Sequence, residues 1–468
     1  MSRRRLNAVP RVPESLLAGF AQLREEMRVP AAFPEDVVAE AEAAAAAPVP
    51  TDGREDLRAV EFVTIDPPTS RDLDQAMCIA RTGGGFLLRY AIADVGAFVR
   101  PGGAMEREAW TRGTTIYAPD GKTPLYPQVL SEGAASLLPD VDRPSVVFEV
   151  PVDGDGEAGP GRVFRAVVRS RAKLAYGTGG GDVPLLRELG TALAAAAARR
   201  GAVEIDLPGQ QVVPAGTPEG FTLALETRTP DEDWNAQISL CANVAGARLM
   251  LAAGMGLFRV LGPPDPDRVA GLQAAAVALG LAPPDVHDGL RAVAACSGPE
   301  RAVHQLRRSA RSAVPTGAGY RFWETGGEPP FHSAVAAPYA HATAPLRRLA
   351  DRYVLDLLVE LSAGRPAPPG TAGTLGRLPE VMGRAEALAD RLENACIDLV
   401  EATLLRAHVG ERFAAVVWGS NERGARIQLR EPPVRATLPG SDARPGSELE
   451  VQLAEADPAR RVVAFRAA

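Results

Sequence analysis

Residues 62–77 read "FVTIDPPTSRDLDQAM". One apolar run enters the segment, a double proline interrupts it, and a second apolar run leaves it. Three aspartates, Asp66, Asp72 and Asp74, stand in the interruption. Asp66 precedes a proline, whose ring pushes the preceding residue into extended backbone. Asp72 and Asp74 are two apart, so on an extended segment they share a side, whereas on a helix they would diverge. Asp66 therefore ends one strand, and the pair lies on a loop entering the next. Two like charges about 5 Å apart repel by roughly 3 kcal/mol at an effective dielectric near 20. A fold that gathers three of them needs a cation, a proton or wide separation. Oxygen donors suit Mg²⁺, with Mn²⁺ as the alternative. Such an ion can generate hydroxide and clamp a phosphate during in-line displacement. A solvated loop whose aspartates cap turns is the plainer reading of an isolated Asp-x-Asp.

Outward from this loop the pattern is mixed. "EFVTI", "AMCIAR" and "FLLRYAIADVGAFV" predict strands, the last two joined by "TGGG". A helical stretch over 105–110 and a loop-rich segment follow. "SVVFEVPVD" and "GRVFRAVVRSRAKLAY" predict a β-hairpin pair. Helix is expected over 182–200, in the long apolar "DEDWNAQISLCANVAGARLMLAAGM", and over 266–312, 344–362 and 378–407. Upstream, Pro34 starts and Pro48 and Pro50 stop an alanine-rich helix with acidic residues in its first turn. The last sixty or so residues hold five short strands separated by turn residues, the pattern of a small oligonucleotide-binding barrel. The expected class is α+β. A helical arm over 1–54 precedes a catalytic body over 55–406 and an OB-like barrel over 407–468.

The 468 residues carry a net charge of −7, so nucleic-acid binding would need a local basic channel. Arg3, Arg4 and Arg5 read as a solvated arm. Four widely spaced cysteines, Cys78, Cys241, Cys296 and Cys396, form no Cys-x-x-Cys pair and read as free thiols of a reducing compartment. No stretch is long and apolar enough to span a bilayer, and a cytoplasmic location is expected.

Several segments, in order, resemble the ribonuclease II/R (RNB) family. They are "TIDPPTSRDLDQA", "YAIADVGAFVRPGGAMEREAWTRGTTIYAPD", "LYPQVLSEGAASLLPDVDRPSVVFEV", "RAKLAY" and "YAHATAPLRRLADRYV". The resemblance implies Mg²⁺-dependent 3′→5′ hydrolysis of single-stranded RNA to nucleoside 5′-monophosphates. It makes Asp66, Asp72 and Asp74 the metal-holding catalytic acids. The family's fourth acidic position is Gln75 here, whose amide offers a metal an oxygen without a charge. Tyr176 takes the position of an aromatic that stacks on a terminal base, which suits an enzyme that accepts every nucleotide. In the same segment Lys173, one of two lysines in the chain with Lys122, is a candidate phosphate contact. In the second stretch that carries the resemblance, "YAHATAPLRRLAD", Tyr339, His341, Thr343, Arg347 and Arg348 are the candidate RNA contacts, arginines being able to fork onto phosphate oxygens.

Three departures bear on function. Ala337 stands where relatives carry an acidic residue that favours RNA. Glu393 is followed by Asn394 and Ala395, so the arginine that relatives place there is missing, with Arg391 a substitute only in another register. The segment before Asp66 is too short and too helical for the two small barrels that relatives carry there. The expected function is exoribonuclease. The rivals are an RNA-binding protein that keeps the channel without turnover, favoured by Gln75 and Ala395, and a metal-dependent nuclease acting on DNA or short oligonucleotides, favoured by Ala337.

Overall fold

The computed structural model describes residues 14–177, 183, 185–203, 209–215, 220–225, 228–267, 269–270, 317–444 and 446–468. The helix expected over 266–312 lies almost wholly outside them, as do Arg3, Arg4, Arg5 and Cys296. Two helices open the chain, α1 (Glu14–Glu26) and α2 (Glu35–Ala46). Strands β1 (Glu55–Ile65), β2 (Gln75–Thr82) and β3 (Gly85–Ala93) follow. Helix α3 (Ala104–Arg112) leads to a small hairpin of β4 (Ile116–Ala118) and β5 (Gly121–Thr123). A π-helical turn, Leu130–Ala134, precedes the long strands β6 (Asp142–Asp153) and β7 (Arg162–Leu174).

Strands β1, β2, β3, β6 and β7 close into a barrel. Neighbours pair antiparallel, except that β7 meets β1 in parallel and shuts the barrel. The register decides where the chemistry sits. Ile65 pairs with Leu174, Gln75 with Ile92, and Ala93 with Ser145. The end of β1, the start of β2 and the ends of β3 and β7 therefore lie at one mouth of the barrel, although more than a hundred residues separate β1 from the end of β7.

Further α-helices follow. Among the described residues these are α4 (Leu186–Arg200), α5 (Pro230–Ala252), α6 (Leu349–Ser362) and α7 (Thr371–Leu405), with two further hairpins, β8 (Gln210–Pro214) with β9 (Phe221–Leu225) and β10 (Met255–Val260) with β11 (Gly319–Glu324). Helix α5 starts on a reciprocal cap, Thr229 with Glu232, and Pro230 opens its first turn. Its buried face, Ile238, Ala242 and Met250 among others, joins the barrel core around Phe62, Leu88, Tyr90 and Phe148. The chain ends in β12 (Arg412–Asn421), β13 (Gly424–Leu429), β14 (Arg435–Pro439), β15 (Glu448–Asp457) and β16 (Val462–Ala467), one antiparallel sheet ordered β14-β13-β12-β15-β16, nearly closed by the approach of β14 to β16.

The expected class, α+β with a C-terminal five-stranded β-domain, is the observed one. Local boundaries differ for identifiable reasons. Strand β3 stops at Ala93: the Asp94 N–H still reaches Pro144 O at 3.1 Å, but Pro144 has no N–H to return the bond, and a 3₁₀ turn, Val95–Ala97, follows. Helix α6 begins at Leu349, five residues later than expected, because Arg348 is held extended in a bridge to Thr114, with the Thr115 N–H donating to Arg347 O and the Leu349 N–H to Gly113 O, each at 3.0 Å. Helix α7 begins at Thr371 and runs through Pro379. Both of its halves are buried, Leu375 to Ala385 in the barrel-side core and Leu392 to Leu405 in the core of the C-terminal sheet, and that packing outweighs one lost backbone bond. The α1 side chains Leu16, Phe20 and Leu23 join that second core. No described helix is long and apolar enough to cross a membrane.

Candidate active site

The Asp66–Gln75 loop is shaped by braces from three directions. The Asp66 N–H donates to Leu174 O at 3.1 Å, extending the β1–β7 pairing by one residue. The Lys173 ammonium donates to Pro68 O and Ser70 O at 2.7 and 2.6 Å. Ser136 accepts from the Leu73 N–H at 2.9 Å and donates to Arg71 O at 2.6 Å. Leu73 is fully buried between Asp72 and Asp74, and the charge of Asp72 is felt at Asp74.

The three aspartates have different environments. Burial pushes the Asp66 carboxyl up to about 6; Lys173 and Arg347 oppose this and the charge of Asp72 adds to it. Asp74 is 5 % exposed, and burial pushes its carboxyl up to about 7. Its Oδ1 accepts from the Leu346 N–H at 2.7 Å, and its Oδ2 lies 3.4 Å from the Arg347 guanidinium. Asp72 is ion-paired instead: its Oδ1 is 2.8 Å from Lys122 Nζ, which also reaches Glu132 at 2.9 Å. Burial works against the charge on Lys122, but its hydrogen bonds to the two carboxylates hold the ammonium above the ordinary lysine value.

Among the described residues no three acidic, histidine or cysteine side chains converge closely enough to hold a metal ion. The donor chemistry still suits a hard divalent cation. Asp66 and Asp74 are carboxyls pushed toward neutrality chiefly by burial, and a bound cation would favour the charged form of both. Asp72 is already ion-paired to Lys122, which it shares with Glu132.

Several other predicted contacts turn out to be braces. The Gln75 amide is spent at both ends: Nε2 donates to Thr343 O at 2.5 Å, and Oε1 accepts from the buried Tyr90 hydroxyl at 2.6 Å. The expectation that its oxygen faces a metal is corrected, because that oxygen is occupied by a phenol. Thr343 is 2 % exposed, and its hydroxyl bonds to Ser239 and Asn243 of α5 at 3.1 Å each, so it fastens the 337–348 segment instead of touching a ligand. Lys173 likewise braces the acidic loop through its bonds to Pro68 O and Ser70 O. Arg348 pairs with the fully buried Asp351 at 2.7 Å, which also receives the Ala344 N–H, so this arginine pins the start of α6. Tyr176 is half-buried, with its hydroxyl bonded to Asn235 of α5. His341 meets the Tyr320 hydroxyl at 2.7 Å and packs edge-on against Tyr320 and Tyr339. Ala337 is buried, Arg391 is exposed on α7, and Ala395 packs against the core around Leu392 and Cys396.

Arg347 differs from its neighbour. Its side chain is 38 % exposed, while its carbonyl accepts from the Thr115 N–H at 3.0 Å and the Thr114 hydroxyl at 2.8 Å. The backbone is fixed and the guanidinium remains available to a ligand. The contact is possible because Gly113, at φ +68°, ends α3 in a left-handed turn packed against α7, where a Cβ would lie 2.6 Å from that of Ala385. The same hairpin presents a residue that the sequence reading passed over. Tyr117 is 41 % exposed and lies within electrostatic reach of Arg347, Asp72 and Asp74. Its signal was an aromatic just before a turn, inside a stretch quoted for the family resemblance but given no role.

Residues 54–179 match the RNB domain, and residues 411–468 match the RNase II-type exonuclease C-terminal S1 domain. Ribonuclease R of Vibrio cholerae is 30% identical over 418 residues, covering 81% of this chain and 50% of that protein. Ribonuclease R of Escherichia coli is 28% identical over 416 residues, covering 81% and 50%. The chain thus spans about half the length of these relatives. The solved Mycoplasma genitalium RNase R in complex with ribose methylated single-stranded RNA has the same fold, with TM-score 0.85 at 18% identity over 97% of this chain and 78% of that one.

Proposed function

We propose that this chain, which carries an RNB domain followed by an RNase II-type C-terminal S1 domain, is a 3′→5′ exoribonuclease that hydrolyses single-stranded RNA to nucleoside 5′-monophosphates with Mg²⁺. The observation that carries the reading is the meeting, at one barrel mouth, of two buried carboxyls, Asp66 and Asp74, with the partly exposed guanidinium of Arg347.

Asp66 and Asp74 would hold the divalent cation, which supplies positive charge to a phosphodiester and acidifies water. The residues of the chain do the rest. Arg347 turns from Asp74 to the non-bridging oxygens of the terminal phosphodiester, a charge-assisted contact suited to the fork of a guanidinium. Tyr117 offers an exposed ring beside that phosphate for the terminal base, and stacking of this kind reads no sequence. Lys173 and the Gln75–Thr343 bond keep the acidic loop and the arginine segment in register, so little reorganisation is needed at the moment of attack. Water attacks phosphorus and expels the 3′ oxygen of the penultimate nucleotide, leaving a 5′-phosphate on the released nucleoside.

A 5′-labelled oligoribonucleotide and the matching oligodeoxyribonucleotide, each incubated with the protein and Mg²⁺, test this reading. A ladder shortened from the 3′ end with mononucleotide release, on RNA and not on DNA, is expected. A second reading, RNA binding without turnover, is favoured by Gln75, whose amide is locked into the wall where relatives place a fourth acid. Retention of intact labelled RNA would select it.

A further inference from the structure

The chain contains 51 lysines and arginines, and only Lys122 and Lys173 are lysines. Both touch the acidic loop. Lys173 bonds its backbone, while Lys122 approaches it from the β4–β5 hairpin, across the cleft. Nζ of Lys122 stands 2.8 Å from Asp72 and 2.9 Å from Glu132, and the three side chains are 20, 13 and 19 % exposed. This is not a loose surface pair. The hairpin is anchored on the far side by Asp120, which Arg24 of α1 holds with both guanidinium nitrogens. Its flank is tied by the Leu125 N–H to the Thr115 hydroxyl at 3.0 Å. The ammonium is thus delivered to a fixed point between two carboxylates of different elements. An ammonium is a compact charge that fits such a point, whereas a planar guanidinium needs a wider gap.

Two carboxylates converging on one positive centre at 2.8 and 2.9 Å form a cation position. Here the chain fills it with its own side chain. We infer that Lys122 is a positioning residue that serves as a resident cation of the acidic loop, holding Asp72 and Glu132, so that the site takes a single divalent ion, at Asp66 and Asp74. The inference rests on the function proposed above and deepens it. Phosphodiester hydrolysis with two ions clamps the attacking and the leaving oxygen symmetrically. With Lys122 in place, one of those positive charges is permanent and independent of metal concentration.

The test is a Mn²⁺ titration of the metal-stripped full-length chain without RNA, read from the electron paramagnetic resonance signal of free Mn²⁺, with RNA degradation in Mn²⁺ measured in parallel. The wild type is expected to bind one equivalent. Lys122→Met, which empties the position while keeping the stem, is expected to bind two. A general structural role for Lys122 would not raise the stoichiometry. Two equivalents on the wild type, or one on a folded Lys122→Met, overturns the inference. Because the wild-type count needs no variant, the inference stays falsifiable if Lys122→Met does not fold. If the wild type degrades RNA and binds two ions, the inference falls and the function stands. If it degrades no RNA, the function falls and takes the inference with it.

Discussion

Replacing Asp74 by asparagine should make the metal-free protein more stable while abolishing nucleotide release. Asp74 is buried, and its carboxyl is raised from the ordinary 3.8 to about 7, chiefly by burial. A raised acid means that between about pH 4 and 7 the folded chain holds a proton that the unfolded chain has released. Stability is therefore greatest at the acidic end of that window and falls as pH rises through it. At about 1.4 kcal/mol per pH unit, the full interval corresponds to roughly 4 kcal/mol against the folded state above pH 7. Asparagine carries no such charge. It keeps an oxygen for the Leu346 N–H and gives up only the 3.4 Å contact with the half-exposed Arg347. In urea unfolding with a chelator present, the variant should match or barely exceed the wild type near pH 4.5 and exceed it by about 2–4 kcal/mol at pH 8. Mononucleotide release should vanish, with RNA affinity largely retained. A stability difference that does not change between pH 4.5 and 8 would refute the buried-acid account. Activity within a few-fold of wild type would refute the site.

Gln75→Asp should not strengthen metal binding. The shorter acid loses the donor to Thr343 O and strands the buried Tyr90 hydroxyl, so we expect a loss of about 2–3 kcal/mol in stability and an unchanged Mg²⁺ requirement, read by thermal melts and by Mg²⁺ titration of the initial rate. A lowered Mg²⁺ requirement would mean that residue 75 faces the metal. Tyr117→Ala should lengthen the smallest end product, since a lost stack of about 1–3 kcal/mol releases short oligonucleotides first. Tyr176→Ala should do so less, its hydroxyl being tied to α5; product ladders of the two variants decide which ring is the platform. Asp351→Asn should unfold the 337–348 segment or cost about 3–5 kcal/mol, because it leaves the partly buried Arg348 without its charged partner. A melting temperature equal to wild type would count against that role.

Local chemistry carried much of this fold. Pro67 and the Asp72–Asp74 spacing were enough to put a strand end, a loop and a shared acidic side at residues 62–77. Alternating apolar residues marked the barrel strands and the five strands of the C-terminal sheet, and Pro34, Pro48 and Pro50 bounded α2. These features depend on neighbours a few residues away, which a sequence displays directly. Tertiary structure alone decided which side chains meet. Gln75 reads as a weak metal ligand until Tyr90, on the adjacent strand, and Thr343, 268 residues on, are found to occupy both ends of its amide. Arg347 and Arg348 read alike in sequence, yet a buried Asp351 claims one and leaves the other facing the cleft. Lys122 lay in a stretch read only as loop, and it became part of the site because α1 and α3 carry its hairpin across the cleft to Asp72. A carboxylate, an amide or an ammonium has no role until its partner is known, and partners distant in sequence are supplied by barrel closure and helix packing, which local periodicity does not encode.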